Sequence, residues 1–302
     1  MTGALTVVLA MALDALFGEP KWLWDRLPHP AVLMGRLIGW ADGRFNAGSD
    51  RRAKGIVLML ALIAGAWALG CALAQGGWLV EALIAAMLLA QKSLVQHVDA
   101  VARGLKLSLS EGKRQVAMIV GRDTQQMDSP AVARSAIESA AENLSDGVVA
   151  PLFWFLVAGL PGLLTYKIIN TADSMIGYLT PRHGAFGWAA AKIDDVVNWV
   201  PARLTAVLIL LAHMRPDLWE ALRRDAPLHR SPNAGWPEAA MAHVHHIALS
   251  GPRAYDGEMR DFPFVNPAGR RALTAQDITA AVATLWRVWG LMFAGAVILT
   301  LL

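Results

Sequence analysis

The stretch from Gly55 to Ala74 is apolar throughout and carries no charged side chain. A helix needs about 20 such residues to cross the hydrocarbon of a bilayer, so this segment commits the chain to a membrane. Ala283–Leu302 is a second candidate, with Arg287 near its start, where a long cationic side chain can reach the interface. Composition agrees. Of 302 residues, 55% are hydrophobic and 17% charged, whereas soluble domains carry about a quarter charged residues. Mean hydropathy is +0.41. Twelve tryptophans suit the boundary between lipid and water, where an indole keeps its ring apolar and its N–H wet. The net charge of +3 fits anionic lipid and is too dispersed for a nucleic-acid partner.

Four further segments are apolar but interrupted. Met1–Phe17 carries Asp14, Trp78–Ala90 carries Glu81, and Val148–Leu164 contains Pro151, Pro161 and Gly162. Val196–Met214 holds Asn198, Arg203 and His213. No Lys or Arg precedes Lys21, so Met1–Phe17 reads as a retained membrane segment rather than a signal peptide. Polar or broken backbone at membrane depth survives only where protein or a watery cavity satisfies it. Ionisable groups there mark functional paths. The interrupted helices are therefore expected to line a site, and the two uninterrupted ones to face lipid.

Lys21, Arg26, Arg36, Arg44, Arg51, Arg52 and Lys54 crowd the first loop, and Arg103, Lys106, Lys113, Arg114 and Arg122 follow the third apolar segment. The positive-inside rule places both regions in the cytoplasm. The reading is an all-α, polytopic integral membrane protein with interrupted helices and cytoplasmic helices and loops. It treats 1–302 as one membrane-embedded domain, with a polar helical insert at about 91–147 and a polar loop region at about 215–282. The single cysteine, Cys71, permits no internal disulfide and reads as a small buried hydrophobe.

Polar residues gather in a few stretches. Glu138 and Glu142 are one helical turn apart, followed by Asn143 and Asp146. Two like charges at that spacing repel unless a cation lies between them, although a lone glutamate pair also suits a solvated face. In YKIINTADSMIGY (166–178), Asn170, Asp173, Ser174 and Gly177 share a face of an otherwise apolar helix. Such a stripe costs free energy unless it is satisfied; helix–helix hydrogen bonding is the plainer alternative to a ligand site. In AKIDDVVNWVPARLT (191–205), Asp194, Asp195 and Asn198 supply oxygen ligands of the kind Mg²⁺ takes alongside phosphate and water. Lys192 and Arg203 flank them and suit a phosphate or carboxylate. GRDT (121–124) offers Arg122 and Asp123, and SPNAGWPE (231–238), its backbone fixed by Pro232 and Pro237, offers Asn233 and Glu238. His29, held between prolines, reads as structural. The spacing of His243, His245 and His246 does not place all three on one helix face. Nucleotide-binding loops of the P-loop and dinucleotide types are absent.

Taken in order, DALFGEP, HPAVLMG, GRDT, AIESAAENLSDGVVAPLFW, YKIINTADSMIGY, AAKIDDVVNWVPARLT and SPNAGWPEAAMA resemble the adenosylcobinamide-phosphate synthase family of cobalamin biosynthesis (CobD/CbiB). The likeness runs from Asp14 to Ala242, with His243–His246 a small departure. It implies an enzyme that joins adenosylcobyric acid through an amide to (R)-1-amino-2-propanol or its O-phosphate, using ATP and Mg²⁺. It also implies residence in the inner membrane as a multi-pass protein. Its partners would be a corrinoid, the amine, the lipid bilayer and other membrane enzymes of late cobalamin assembly.

On that reading Asp173, Asp194 and Asp195, with Glu142, are candidates for Mg²⁺. Arg122, Lys167, Lys192 and Arg203 would hold phosphates or corrin carboxylates, with Asp123, Asn143, Asn170, Ser174, Asn198 and Asn233 completing the binding set. Glu138 would be the general base. Competing expectations are a Mg²⁺-dependent intramembrane transferase acting on a diphosphate, a transporter built on broken helices, and a non-catalytic membrane sensor on the same scaffold. A transporter would show two-fold internal similarity, and the chain has none.

Overall fold

A computed structural model describes residues 2–255 and 258–301. The chain begins with α1 (Thr2–Phe17), α2 (Lys21–Trp24), α3 (Pro30–Phe45), α4 (Arg51–Ala74) and α5 (Trp78–Leu88). It continues with α6 (Gln91–Leu107), α7 (Leu109–Val116) and α8 (Ser129–Leu144), a π-helical segment at Ser145–Val149, then α9 (Ala150–Ile176), α10 (Trp188–Val197) and α11 (Trp199–Ala212). After these come α12 (Trp219–Asp225), α13 (Gly235–Val244), the short strands β1 (Leu249–Ser250), β2 (Arg253–Tyr255), β3 (Glu258–Arg260) and β4 (Phe264–Val265), and α14 (Ala275–Leu301). The fold is all-α. The strands form two antiparallel ribbons, β1 with β4 and β2 with β3, inside the stretch read from sequence as loop.

The chain divides into two compact units, each assembled from separate stretches. One holds Met1–Ala90, Ala150–Trp199 and Ala296–Leu302; the other holds Gln91–Val149 and Val200–Gly295. The polar stretches at about 91–147 and 215–282 both fall in the second unit.

Helix starts follow local chemistry. Asp128 caps α8 by accepting from the amide of Ala131 at 2.8 Å, with Pro130 in the first turn, where its missing N–H costs nothing. Ser108 accepts from the amide of Glu111 at the start of α7, the Ser-x-x-Glu pattern of a capping box. His29 caps α3 through Nδ1, which accepts from Ala31 N, while Nε2 lies 3.0 Å from the Met87 carbonyl oxygen. That fixes a structural role for this histidine.

In the first unit α4 packs along α9, and α1 along α5. Ile38, Met59, Ile168, Ile169, Ala172 and Phe186 form one core there. Gly70 of α4 meets Pro161 so closely that a Cβ would lie 2.4 Å from the proline Cα. In the second unit α6, α7 and α8 pack on one another, and α13 packs on α8 and α12. The small residues Ala133, Ala136, Ala140 and Ala141 of α8 are wholly buried, which lets backbones approach closely.

Among the described residues, four helical segments are long and apolar enough to cross a membrane: Arg51–Ala74, Trp78–Leu107, Ser129–Ile176 and Ala275–Leu301. The protein is a multi-pass membrane protein. At 24 residues, α4 runs about 36 Å, enough to span a hydrocarbon core of about 30 Å. Only 17% of the apolar window of α4 and 22% of that of α14 is buried within the protein, so lipid covers the rest, as the sequence predicts. Cys71 departs from expectation: it is exposed on α4. Hydrocarbon solvates a weakly polar side chain about as well as a protein core does, so an apolar sequence context does not by itself imply protein burial.

Two of the four interrupted segments are broken in the structure. α9 is broken at Ala158 and Gly159, where Gly159 has φ 61° and ψ −154°. Pro161 follows two residues later; its ring removes one amide donor and crowds the preceding turn. The helices α10 and α11 are separated at Asn198 and together pass for one broken span. α1, at 16 residues, is shorter than a full crossing.

Candidate functional site

The residues singled out in the sequence fall into two groups, one in each unit.

The first unit holds the row on α9 and α10. Past the break at Gly159, the α9 helix presents Lys167, Asn170, Asp173 and Ser174; α10 presents Lys192, Asp194 and Asp195, and Asn198 closes α10. Asn198 is 1% exposed, and its Oδ1 accepts from the Tyr166 hydroxyl at 3.0 Å. Trp154 Nε1 donates to the Val197 carbonyl, so the end of α10 is pinned to α9 at two levels. Asn170 Nδ2 lies 3.5 Å from Asp194 Oδ1, and Asp173 acts electrostatically on the same carboxylate. Asp173 sits against Gly177: a Cβ there would lie 1.9 Å from Asp173 Oδ1. A glycine one turn on gives the carboxylate its room.

Other members of this row are placed differently from expectation. Asp195 pairs with Lys192 at 3.2 Å, with the lysine side chain 60% exposed, and such a surface pair contributes little. Ser174 is exposed. Lys167 lines a cavity of about 250 Å³ together with Glu19, His29, Val32 and Met87. Among the described residues no group of three His, Cys, Asp or Glu converges closely enough to hold a metal ion unaided. Asp173, Asp194 and Asp195 therefore make no closed protein cage. Asp173 and Asp194 are the mutually interacting pair; a Mg²⁺ held there would need phosphate oxygens and water to complete its shell.

The second unit holds a buried cluster on α8 and the loops around it. Arg122 Nη2 donates to Glu138 Oε2 at 2.5 Å, and the side chains are 10% and 1% exposed. Arg253 Nη1 stands 3.6 Å from the same oxygen. The other carboxylate oxygen, Oε1, accepts from the Ser250 amide at 2.6 Å, and Arg253 also donates to the Ser250 hydroxyl. Both oxygens of Glu138 are thus occupied by donors. It anchors two guanidinium groups, which does not suit the base role expected for it. Arg134 and Arg230 add further positive charge around the α8 carboxylates.

One turn on, Glu142 and Asn143 are exposed. The α8 face therefore leads from an accessible carboxylate to a buried one. Asn143 Nδ2 donates to the backbone and hydroxyl of Ser139, and Asp123 accepts from the Gln125 amide, so both serve local structure in this state.

Two more expected residues meet in this unit. Arg203 Nη1 donates to Asn233 Oδ1 at 3.2 Å, and its guanidinium lies over the Trp236 ring at 4.6 Å. The sequence set Arg203 beside Asp194 and Asp195; the structure assigns it to the second unit, engaged by the SPNAGWPE turn. The histidine tract dissolves into separate roles: His243 pairs with Asp225 at 3.0 Å and His245 with Thr284 at 2.9 Å.

Sequence reasoning missed His229, Ser250 and Arg253, which belong to no motif. It noted Glu238 only as a polar group. Glu238 is 2% exposed, in the first turn of α13 facing α8, with His229 Nε2 3.5 Å from its Oε1. Burial, together with Glu138 and Glu142, pushes its pKa well above the ordinary carboxylate value. Burial and Arg253 push His229 down to about 4, so its imidazole is neutral near pH 7.

The features above define a class: multi-pass helical membrane proteins that carry a buried arginine–carboxylate cluster and a row of amides and acids on broken helices. Within it, the chain belongs to the CobD/Cbib family, whose pattern it matches over residues 7–285. The cobalamin biosynthesis protein CobD of Rhizobium meliloti (strain 1021) is 48% identical over 307 residues, covering 95% of this chain and 94% of its own. The protein of the same name from Halalkalibacterium halodurans is 44% identical over 298 residues, covering 94% and 92%. That of Rhodobacter capsulatus is 44% identical over 313 residues, covering 95% and 100%. No solved structure matches the chain.

Proposed function

We propose that this chain, a member of the CobD/Cbib family of cobalamin biosynthesis, forms the amide between the free carboxylate of adenosylcobyric acid and (R)-1-amino-2-propanol or its O-phosphate, consuming ATP. The observation that carries this reading is the Arg122–Glu138–Arg253 cluster, buried in a protein of this family. Guanidinium groups held in place by a fixed carboxylate are preorganised for an anion. A carboxylate resists attack by an amine, so phosphoryl transfer from ATP first makes an acyl phosphate, and the amine then displaces phosphate. Arg122 and Arg253 hold the phosphoryl oxygens through both steps. Arg203, kept in place by Asn233 and Trp236, binds a second anionic group of the corrinoid or the amine phosphate.

In the first unit, Asp173 and Asp194 would hold Mg²⁺, which supplies charge neutralisation to phosphate oxygens bound there. Asn170 and Asn198 keep Asp194 and the end of α10 in position. The enzyme works in the bacterial inner membrane with its catalytic face toward the cytoplasm, where ATP is found, alongside other membrane enzymes of late cobalamin assembly.

The test is nutritional. In a cobalamin-making host with this gene deleted and growth made cobalamin-dependent, cobinamide should support growth, and cobyric acid should do so only when the gene is restored. Growth on cobyric acid without the gene removes this function.

A further inference from the structure

The second unit contains a carboxylate with the properties of the proton acceptor that Glu138 lacks. His229 Nδ1 accepts from the backbone amide of Ser231 at 3.0 Å. An amide can only donate, so in the neutral imidazole the proton sits on Nε2. Nε2 faces Oε1 of Glu238 at 3.5 Å, with the two side chains 8% and 2% exposed. The other oxygen, Oε2, is buried and meets no hydrogen-bond partner among the described residues. A buried, unpartnered carboxylate oxygen is costly, and α13 packs this one against α8, where Glu138 and Glu142 act on it electrostatically.

We propose that Glu238 is the general base of amide formation and that His229 is its positioning residue. This inference rests on the amide-forming reading above. The amine arrives as an ammonium, and Oε2 of Glu238 takes one proton, freeing the nitrogen lone pair. The nitrogen attacks the acyl carbon, forming the C–N bond. The C–O bond to phosphate then breaks, and phosphate leaves with the bonding pair. The leaving phosphate takes the second proton lost from nitrogen, so the amide keeps one. Arg122 and Arg253, fixed by Glu138, steady the departing anion. His229 stands against Oε1 at 3.5 Å and holds the Glu238 carboxyl in one rotamer, leaving Oε2 for the substrate.

The charged and titratable groups around the pair are Glu138 and Glu142 on α8, Arg122 before it, Arg230 on the loop after α12, and Arg253 at the start of β2. Burial and the two α8 carboxylates raise the affinity of Glu238 for its proton, and the guanidinium groups oppose them.

The experiment uses the full chain in lipid nanodiscs with cobyric acid, aminopropanol or its phosphate, ATP and Mg²⁺, and follows the corrinoid amide across pH. Glu238→Gln should lower kcat by about 10²–10⁴-fold with the KM for cobyric acid little changed. His229→Phe should remain active but move the acidic limb of the profile up by about one pH unit, because the carboxyl loses its donor. A Glu238→Gln enzyme within about threefold of wild type overturns the proposal. Should that variant not fold, an unmoved acidic limb in His229→Phe overturns it equally. A wild type that makes no amide ends the amide-forming reading, and this one with it.

Discussion

Arg122 Nη2 and Glu138 Oε2 meet at 2.5 Å in the interior of the second unit, and Glu138 also receives the Ser250 amide. Breaking such a pair from one side leaves a buried charge uncompensated, which costs about 3–5 kcal/mol. Glu138→Ala should therefore destabilise the protein on that scale, because Arg122 and Arg253 lose the same partner. Replacing both ends, as in Arg122→Met with Glu138→Leu, should recover part of the stability, since Arg253 still lacks its carboxylate, and none of the activity. Thermal melts of wild type and the two variants in detergent check this; equal losses in the single and double variants would mean that the pair is not coupled.

Two groups should make stability depend on pH with opposite signs. Glu238 holds its proton to a higher pH in the folded protein than the ordinary 4.5. Its favourable contribution is therefore complete below 4.5 and lost as pH rises above it. His229 is lowered from 6.5 to about 4, so its contribution is complete above 6.5 and lost as pH falls toward 4. Glu238→Gln should melt with wild type near pH 4.5 and above it at about pH 8. A melting difference that does not vary with pH would show a carboxyl with the same affinity for its proton folded and unfolded.

In the first unit the acid row should be needed for turnover but not for folding. Asp194→Asn and Asp173→Asn should each lower kcat by about 10²-fold or more in a protein that still inserts. Ser174→Ala, at an exposed position, should leave it nearly unchanged. Gly177→Ala is a sharper probe, since it keeps every charge and forces a methyl toward Asp173 Oδ1. Loss of activity in Gly177→Ala, measured in the same nanodisc assay, would tie function to where that carboxylate sits.

The break in α9 should be intolerant of side chains. Gly159 sits at φ 61° and ψ −154°, a region open to glycine and almost nothing else. Gly159→Ala should cost about 1–3 kcal/mol, read as a lower melting temperature. An unchanged melting point would mean that the break can relax.

What the sequence made legible follows from physics that acts locally. Hydropathy along Gly55–Ala74 and the breaks near Pro161 and Asn198 depend on neighbours a few residues away, and each is visible in the string. The polar row was legible for the same reason: Asn170 and Asp173 share a helix face by spacing alone. The unexpected pairings are long-range. Ser250 lies 112 positions from Glu138, and nothing in Ser250 or Arg253 marks them as partners of a carboxylate on α8. Arg203 was drawn to Asp194 by nearness in sequence, whereas Asn233 and Trp236 hold it in space. Glu138 looked like a base because a string shows which groups can titrate, not which oxygens are already taken.

The two units exchange the chain repeatedly: 1–90 in the first, 91–149 in the second, 150–199 in the first, 200–295 in the second, and the last residues in the first again. No single cut in the gene can release either unit whole. During synthesis α4 must wait for α9, its main packing partner, while the first half of the second unit is being made. The second unit therefore lacks part of its core until ribosomal elongation reaches Ile278, Ala281, Leu285 and Val288 of α14, and a stop before α14 should leave that core open while the first unit loses only its last few residues.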